Sequence, residues 1–305
     1  AKCLLQCFAG FVPYHSQQET GHAMPLALPQ SNWQPTEILR WVCSKPSSTG
    51  VAIVVTDAGE GYLKAMGNPE GEHVLACELV ATQLARLFAL PTFDYALIEV
   101  TGVPEIWLPN GDVATPGPAF ITRSEKGGSW GGKPRELKRL VNVPDISRLV
   151  VFDTWIRNRD RYTPPPNERC NRDNVFLSRE APSGKLLLRA MDHTHCFVGG
   201  GELTPRLSHI DHIRDSVVYG LFPEFRRFLG KDGVQAAGDT LHRIPRKEVE
   251  DVIHSIPSEW KVNDRTRAAL ADFLIGRAAY VAEHIMNWIW PQDEFEFMKE
   301  AEDEP

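Results

Sequence analysis

The chain has 305 residues, 42% hydrophobic and 24% charged, with a net charge of −7. This composition excludes wholesale disorder and predicts a sizeable core divided between two lobes or domains. The acidic balance argues against a dedicated nucleic-acid binder, which usually carries a basic domain, and no apolar run approaches the roughly 18 residues that mark a bilayer span.

Residues 1–35 mix Pro, Gln, His and Ser without periodicity and read as an N-terminal extension. The apolar opening C-L-L-Q-C-F-A-G-F-V is broken by Gln6 and flanked by Lys2 alone, which makes a signal peptide the weaker reading. Six cysteines at 3, 7, 43, 77, 170 and 196 contain no C-x-x-C pair. They read as reduced thiols of a cytoplasmic protein. Regular signals begin at T-E-I-L-R-W-V, 36–42. V-A-I-V-V, 51–55, reads as a strand, D-A-G-E-G, 57–61, as a hairpin turn, and Y-L-K-A-M, 62–66, as the return strand with Lys64 in it. A helix is predicted over 71–89, with Cys77, Val80, Ala81, Leu84, Leu87 and Phe88 as its buried stripe and Glu78 beside it. Strands are predicted at 93–100 and 119–123, a hairpin with connector between them, and a loop G-G-S-W-G-G at 127–132.

From there the pattern turns helical. Asp145 is read as the cap of a helix through Trp155. Two short strands follow at 174–178 and 185–191, then helices at 213–229, 245–255 and 264–290 and an acidic tail. The expected fold class is α+β, a sheet-rich small lobe followed by a helix-rich large lobe. The expected division is an extension 1–35, a small lobe 36–118, a large lobe 119–290 and a tail 291–305.

The chemistry concentrates in N-R-D-R at 158–161, R-D-N-V-F-L at 172–177 and A-M-D-H at 190–193. Phosphoryl transfer needs one carboxylate for the attacking hydroxyl, then an amide and a carboxylate to hold Mg²⁺ on ATP. Asp160, just past a helix, suits the first role as a catalytic base. Asn174 and Asp192 flank a two-strand unit whose distal ends meet, bringing two hard oxygen ligands together for metal. Lys64, on a strand face shared with Tyr62 and Met66, suits the phosphate-holding cation, and Glu78 on the next helix suits its partner. The bland alternatives are a solvated strand lysine, an Asx turn at Asn174, and Asp160 as a helix-end carboxylate paired with Arg157, Arg159 or Arg161.

Five segments, in order, carry a resemblance: G-Y-L-K-A (61–65), C-E-L-V-A-T-Q-L-A-R-L-F-A-L-P (77–91), V-F-D-T-W-I-R-N-R-D-R (151–161), D-N-V-F-L (173–177) and A-M-D-H (190–193). Together they resemble the HipA-like kinases, in particular a smaller HipA-related branch of the protein-kinase and lipid-kinase superfamily. The resemblance covers about 36–290. It implies a bilobal protein-kinase-like fold with ATP and Mg²⁺ between the lobes. It also implies a protein Ser or Thr as acceptor and leaves room for a neutralising or regulatory protein partner. It assigns Lys64 to the phosphates, Glu78 to Lys64, Asp160 to catalysis, and Asn174 and Asp192 to Mg²⁺.

The chain departs from the family's D-R-H-x-x-N loop. Tyr162 stands in place of the His, and residues 162–173 intervene before Asn174. Asn167 and Asn171 are therefore rivals to Asn174, which is preferred because V-F-L follows it. Ser48 and Thr49 in S-S-T-G-V are the candidate phosphate-covering turn. Two other readings compete. One is a degenerate kinase that binds nucleotide without transfer. The other is a metallohydrolase using His193, His195, His209 and His212 with Asp192, which leaves Lys64, Glu78 and Asp160 without a role.

Overall fold

The computed structural model describes residues 33–47 and 49–291. The expected extension before 33 and the tail from 292 lie outside the described residues. The first layer is a five-stranded sheet of strands β1 (Ile38–Lys45), β2 (Val51–Thr56), β3 (Gly59–Lys64), β4 (Tyr95–Val100) and β5 (Gly117–Arg123), in the order β1-β2-β3-β5-β4. Strict alternation in β2 sends Ala52, Val54 and Thr56 inward, the period expected of a half-buried strand. The β2–β3 turn is tighter than its sequence suggests: Thr56 pairs with Gly59, so Asp57 and Ala58 alone make the turn. Gly61 is therefore a strand residue, and a Cβ there would meet Ile121 at 2.8 Å and the Thr122 carbonyl at 2.9 Å. Its missing side chain lets β5 approach β3.

One face of this sheet packs Val54, Leu63, Ala65 and Ile121 against Ile106, Leu108 and Ala114 of the hairpin that follows β4. Trp33 joins this cluster and donates Nε1–H to the Ala58 carbonyl at 2.9 Å. The expected extension thus ends before Trp33, which belongs to the small lobe. The sheet also includes β5, so the expected boundary at 118/119 passes through a strand. β5 is placed in the small lobe by its pairing with β3 and β4.

Lys64 points to the opposite face from Leu63 and Ala65. Helix α1 (His73–Leu87) lies there, buried around almost its whole circumference, as a helix enclosed by the core must be. It packs on β5 and on the large lobe.

The large lobe starts with β6 (Gly127–Ser129), inside the stretch read as a loop. It pairs with β9 (Val175–Ser178), which pairs with β10 (Leu187–Ala190), after the small hairpin β7 (Tyr162–Thr163) and β8 (Arg169–Cys170). Helix α2 (Asp145–Ile156) is buried at all but one position. Its N-cap is Pro144 rather than Asp145, whose carboxylate instead accepts from Asn142 Nδ2 at 2.8 Å and pairs with Arg148. The helix expected at 213–229 does not form. Gly220 adopts φ +72° and Pro223 opens a 3₁₀ turn through Phe228, which seats Phe222 and Phe225 on Trp130. Helix α3 (Lys231–His242), α4 (Arg246–His254) and α5 (Asp264–Ile289) complete the lobe.

Candidate active site

A cleft of about 460 Å³ opens between the five-stranded sheet and the β6–β9–β10 sheet. Lys64, Glu78, Asn174 and Asp192 line it together, with Val51, Tyr62, Phe93, Phe120, Phe176 and Met191 as its apolar walls. Residues far apart in sequence, from Lys45 to Asp192, thus meet in one concavity of polar and apolar side chains, the usual character of a small-molecule site.

Lys64 is the last residue of β3 and sits between two carboxylates. Nζ donates to Glu78 Oε2 at 2.7 Å and to Asp192 Oδ1 at 2.9 Å. Burial opposes the ammonium charge, but Asp192 and Glu78 outweigh it and raise the amine above its ordinary value. Burial likewise opposes the charge on Glu78, and Lys64 overcomes it, holding the carboxyl well below the usual range. The His193 backbone N–H also donates to Glu78 Oε2, at 2.9 Å. Glu78 thereby fixes both the strand lysine and the segment that carries Asp192. Asp192 adopts φ +57°, a left-handed conformation that is costly for a non-glycine residue and concentrates at functional sites.

Asp160 is positioned by a residue the sequence analysis did not single out. Helix α2 ends as Arg157 enters the left-handed region at φ +51°, and the Asn158 N–H returns to the Asp153 carbonyl at 2.9 Å. The Asp153 carboxylate accepts from Asn158 Nδ2 at 3.1 Å and from Arg161 Nε at 2.6 Å. Both partners of that ion pair are fully buried, and burial pushes the Asp153 carboxyl up. Arg161 also donates to the Met191 carbonyl at 3.1 Å. One buried pair therefore couples the Asp160 loop to the residue preceding Asp192. Only its low-polarity helical context marks Asp153 in the sequence, and its partner lies beyond the helix.

The arginines do not pair as the helix-end alternative required. Arg157 pairs with Asp215 at 2.8 Å and Arg161 with Asp153. Asp160 instead meets Arg169 of β8 at 2.5 Å. Its Oδ2 accepts from Asn174 Nδ2 at 2.7 Å and from Asn171 Nδ2 at 3.2 Å. His195 stands between lobes: Nε2 lies 2.8 Å from Glu70 and Nδ1 lies 3.6 Å from Asp160. Asp160, then burial in the opposite sense, then Glu70 set its basicity, with a net rise to about 9. Burial opposes the charge on Asp160, but His195, Arg169 and Asn174 bring its carboxyl down to about 2.

Among the three candidate amides, Asn174 is the one that lines the cleft; Asn167 is exposed, and Asn171 braces Asn174 Oδ1 and Asp160 from outside. Donation of Nδ2 to Asp160 leaves Asn174 Oδ1 as the acceptor end of the amide. With the Asp192 carboxylate this makes a pair of hard oxygens, and Mg²⁺ commonly takes one or two protein ligands beside substrate phosphates. The donor set fits the ion.

Thr49 does not fit its expected role. It is buried and does not line the cleft, and the chain turns beside it at Gly50 with φ +68°. Ser47 lines the cleft in its place, and Ser48 lies outside the described residues. The four histidines do not converge either. His193 is buried edge-on against Phe152, His195 is bound to Glu70, and His209 and His212 face each other elsewhere. Among the described residues no group of three or more His, Cys, Asp or Glu is arranged around a metal position. No helix among them is long and apolar enough to cross a membrane.

A profile of HipA-like kinases matches residues 43–288. The Helicobacter pylori proinflammatory kinase CtkA superposes with a TM-score of 0.54 at 13% identity, covering 87% of this chain and 100% of its own. A Golgi casein kinase gives 0.48 at 9% identity over 86% and 74% of the two chains. The Mycobacterium tuberculosis PknI kinase domain gives 0.28 at 14% identity over 83% and 95%. No curated protein matches the chain.

Proposed function

The chain belongs to the HipA-like kinase family, and from that premise we propose that it transfers the γ-phosphoryl group of ATP, with Mg²⁺, to the hydroxyl of a protein Ser or Thr. The observation that carries this reading is the convergence of Lys64, Glu78, Asn174 and Asp192 on one cleft, with Asp160 hydrogen-bonded to Asn174 at its edge. Lys64 orients the phosphates, and Glu78 keeps Lys64 in place. Asn174 and Asp192 would hold Mg²⁺, which would supply charge neutralisation for the phosphates. Asp160 receives or orients the acceptor's hydroxyl proton. Positioning and preorganised charge do most of the work in such a transfer.

The test is incubation with labelled ATP and Mg²⁺, alone and with cell lysate, followed by mapping of phosphosites. Label on serine or threonine, lost in Asp192→Ala, supports the reading. ATP binding without label on any protein would leave the second reading, nucleotide binding without transfer, which the Arg169 contact on Asp160 favours. Label on a small molecule alone would keep the kinase and replace the acceptor.

A further inference from the structure

The proposed base is already covered by a cation. Asp160 Oδ2 is taken by Asn174 and Asn171. A hydroxyl that gives its proton to Asp160 must approach Oδ1, the oxygen that Arg169 contacts at 2.5 Å and His195 Nδ1 approaches to 3.6 Å. A fixed arginine there would block the acceptor. Arg169 reaches that oxygen from the solvent side: its side chain is 58% exposed, against 8% for Asp160. Its backbone, by contrast, is pinned, since Cys170 pairs with Tyr162 and the Asn171 N–H bonds to the Arg161 carbonyl at 2.9 Å.

The neighbouring cations have other commitments. Lys64 serves Glu78 and Asp192, Arg161 serves Asp153, Arg157 serves Asp215, and Arg172 serves Glu224. Arg169 has no second acidic partner among the described residues. Of the two basic side chains at Oδ1, it is the one not also tied to the small lobe, since His195 Nε2 lies 2.8 Å from Glu70. A guanidinium presents five N–H donors in a planar fork and bridges carboxylate and phosphoryl oxygens readily.

We propose that Arg169 is a catalytic residue that passes from Oδ1 of Asp160 to the γ-phosphoryl oxygens as the acceptor hydroxyl takes its place. This inference rests on the reading of Asp160 as the proton acceptor. The hydroxyl proton goes to Oδ1, and the hydroxyl oxygen forms its bond to Pγ. The bond from Pγ to the β,γ-bridging oxygen breaks, and its electron pair leaves on ADP. Negative charge spreads over the three equatorial oxygens in transit, within reach of the guanidinium because the attacking oxygen lies between Asp160 and Pγ. The residues between Asp160 and Asn174 then have a purpose: the β7–β8 hairpin folds back to bring its arginine to the acceptor side.

The experiment compares Arg169→Ala, Arg169→Lys and Asp160→Asn in the full chain, with melting temperature, direct ATP binding, and kcat and KM for protein labelling. Arg169→Ala is expected to lose at least about tenfold in kcat while ATP affinity changes less than about threefold. Arg169→Lys should retain part of the lost rate. Millimolar guanidinium should restore part of it to Arg169→Ala and none to Asp160→Asn. If Asp160→Asn still transfers at the wild-type rate, the base assignment falls and this inference with it. If Asp160→Asn is inactive while Arg169→Ala turns over at or above the wild-type rate, Arg169 is a bystander or a plug, and this inference alone is overturned.

Discussion

Nζ of Lys64 stands 2.9 Å from Oδ1 of Asp192, which ties the small-lobe sheet to a residue 128 positions further along the chain. The same amine serves Glu78, whose side chain is 5% exposed, whereas that of Asp192 is 30% exposed. The two carboxylates therefore differ in what each loses when the lysine is removed. Glu78 is left charged in the interior; Asp192 can turn to solvent or to a metal ion.

Asp192→Ala should accordingly fold, because Lys64 keeps Glu78. Its Mg²⁺-dependent ATP affinity should fall by at least about tenfold. Titration calorimetry with and without Mg²⁺ checks this, and an unchanged affinity in a folded variant removes Asp192 from the metal site. Lys64→Ala should lose both nucleotide affinity and stability, by about 3–5 kcal/mol, the cost of stranding one partner of a buried ion pair. A wild-type denaturation midpoint in Lys64→Ala would contradict the buried role of Glu78.

The three asparagines should separate in one labelling assay. Asn174→Ala removes a cleft ligand and a donor to Asp160, so it should be the least active. Asn171→Ala removes only the outer brace on both and should be intermediate. Asn167 is exposed and its alanine variant should match wild type. An inactive Asn167→Ala would remove Asn174 from its proposed role.

Asp160→Ala should keep ATP binding nearly intact and lose transfer by at least about a hundredfold. Binding and labelling measured on the same preparation decide it. Retained transfer with a lowered melting temperature would make Asp160 a structural anchor for Asn174.

The His195 bridge predicts a pH signature. Its folded value of about 9 lies above the ordinary 6.5, so its stabilisation is complete below about pH 6.5 and fades as pH rises through about 9. Asp160 acts at the other end: its stabilisation is present above about 3.8 and is lost as pH falls through about 2. The melting temperatures of wild type and His195→Gln should therefore differ most near pH 6 and converge above about pH 9. A gap that stays constant across that range would mean that the imidazole acts by packing.

The candidate site was more legible in the sequence than its supports. Lys64, Glu78, Asp160, Asn174 and Asp192 each sit in a short run whose neighbours define the element, and a hairpin places Asn174 near Asp192 by local geometry alone. Asp153 and Arg169 were missed, and His195 was read only as a candidate metal ligand, for a common reason: each matters through a partner on another element, and side-chain pairing across elements leaves no local pattern. Thr49 failed because a single positive-φ glycine decides which way the turn faces. The absent helix at 213–229 shows a comparable limit. Its apolar residues have helical spacing, but Phe222 and Phe225 gain more by stacking on Trp130 than by continuing a helix. Helix α3 was hidden by Gly233 and Gly238, poor helix formers. Gly238 is tolerated because it lets α3 lie close to the Ala282 backbone of α5.

Arg277, on α5, is fully buried and donates to the carbonyls of Thr154, Trp155, His212, Ile213 and Asp215. Burial lowers it to about 10, leaving it a cation at neutral pH, and it joins two carbonyls in the last turn of α2 to three in the 212–215 segment. Synthesis is vectorial, so a ribosome releases Lys64, Asp160 and Asp192 long before it releases Arg277. Until α5 emerges, the Thr154 and Trp155 carbonyls lack this donor and Trp155 Nε1 lacks its acceptor, the Leu274 carbonyl. A nascent chain that already holds every proposed active-site residue thus lacks this support until α5 has followed them, a delay imposed by the order of the sequence alone.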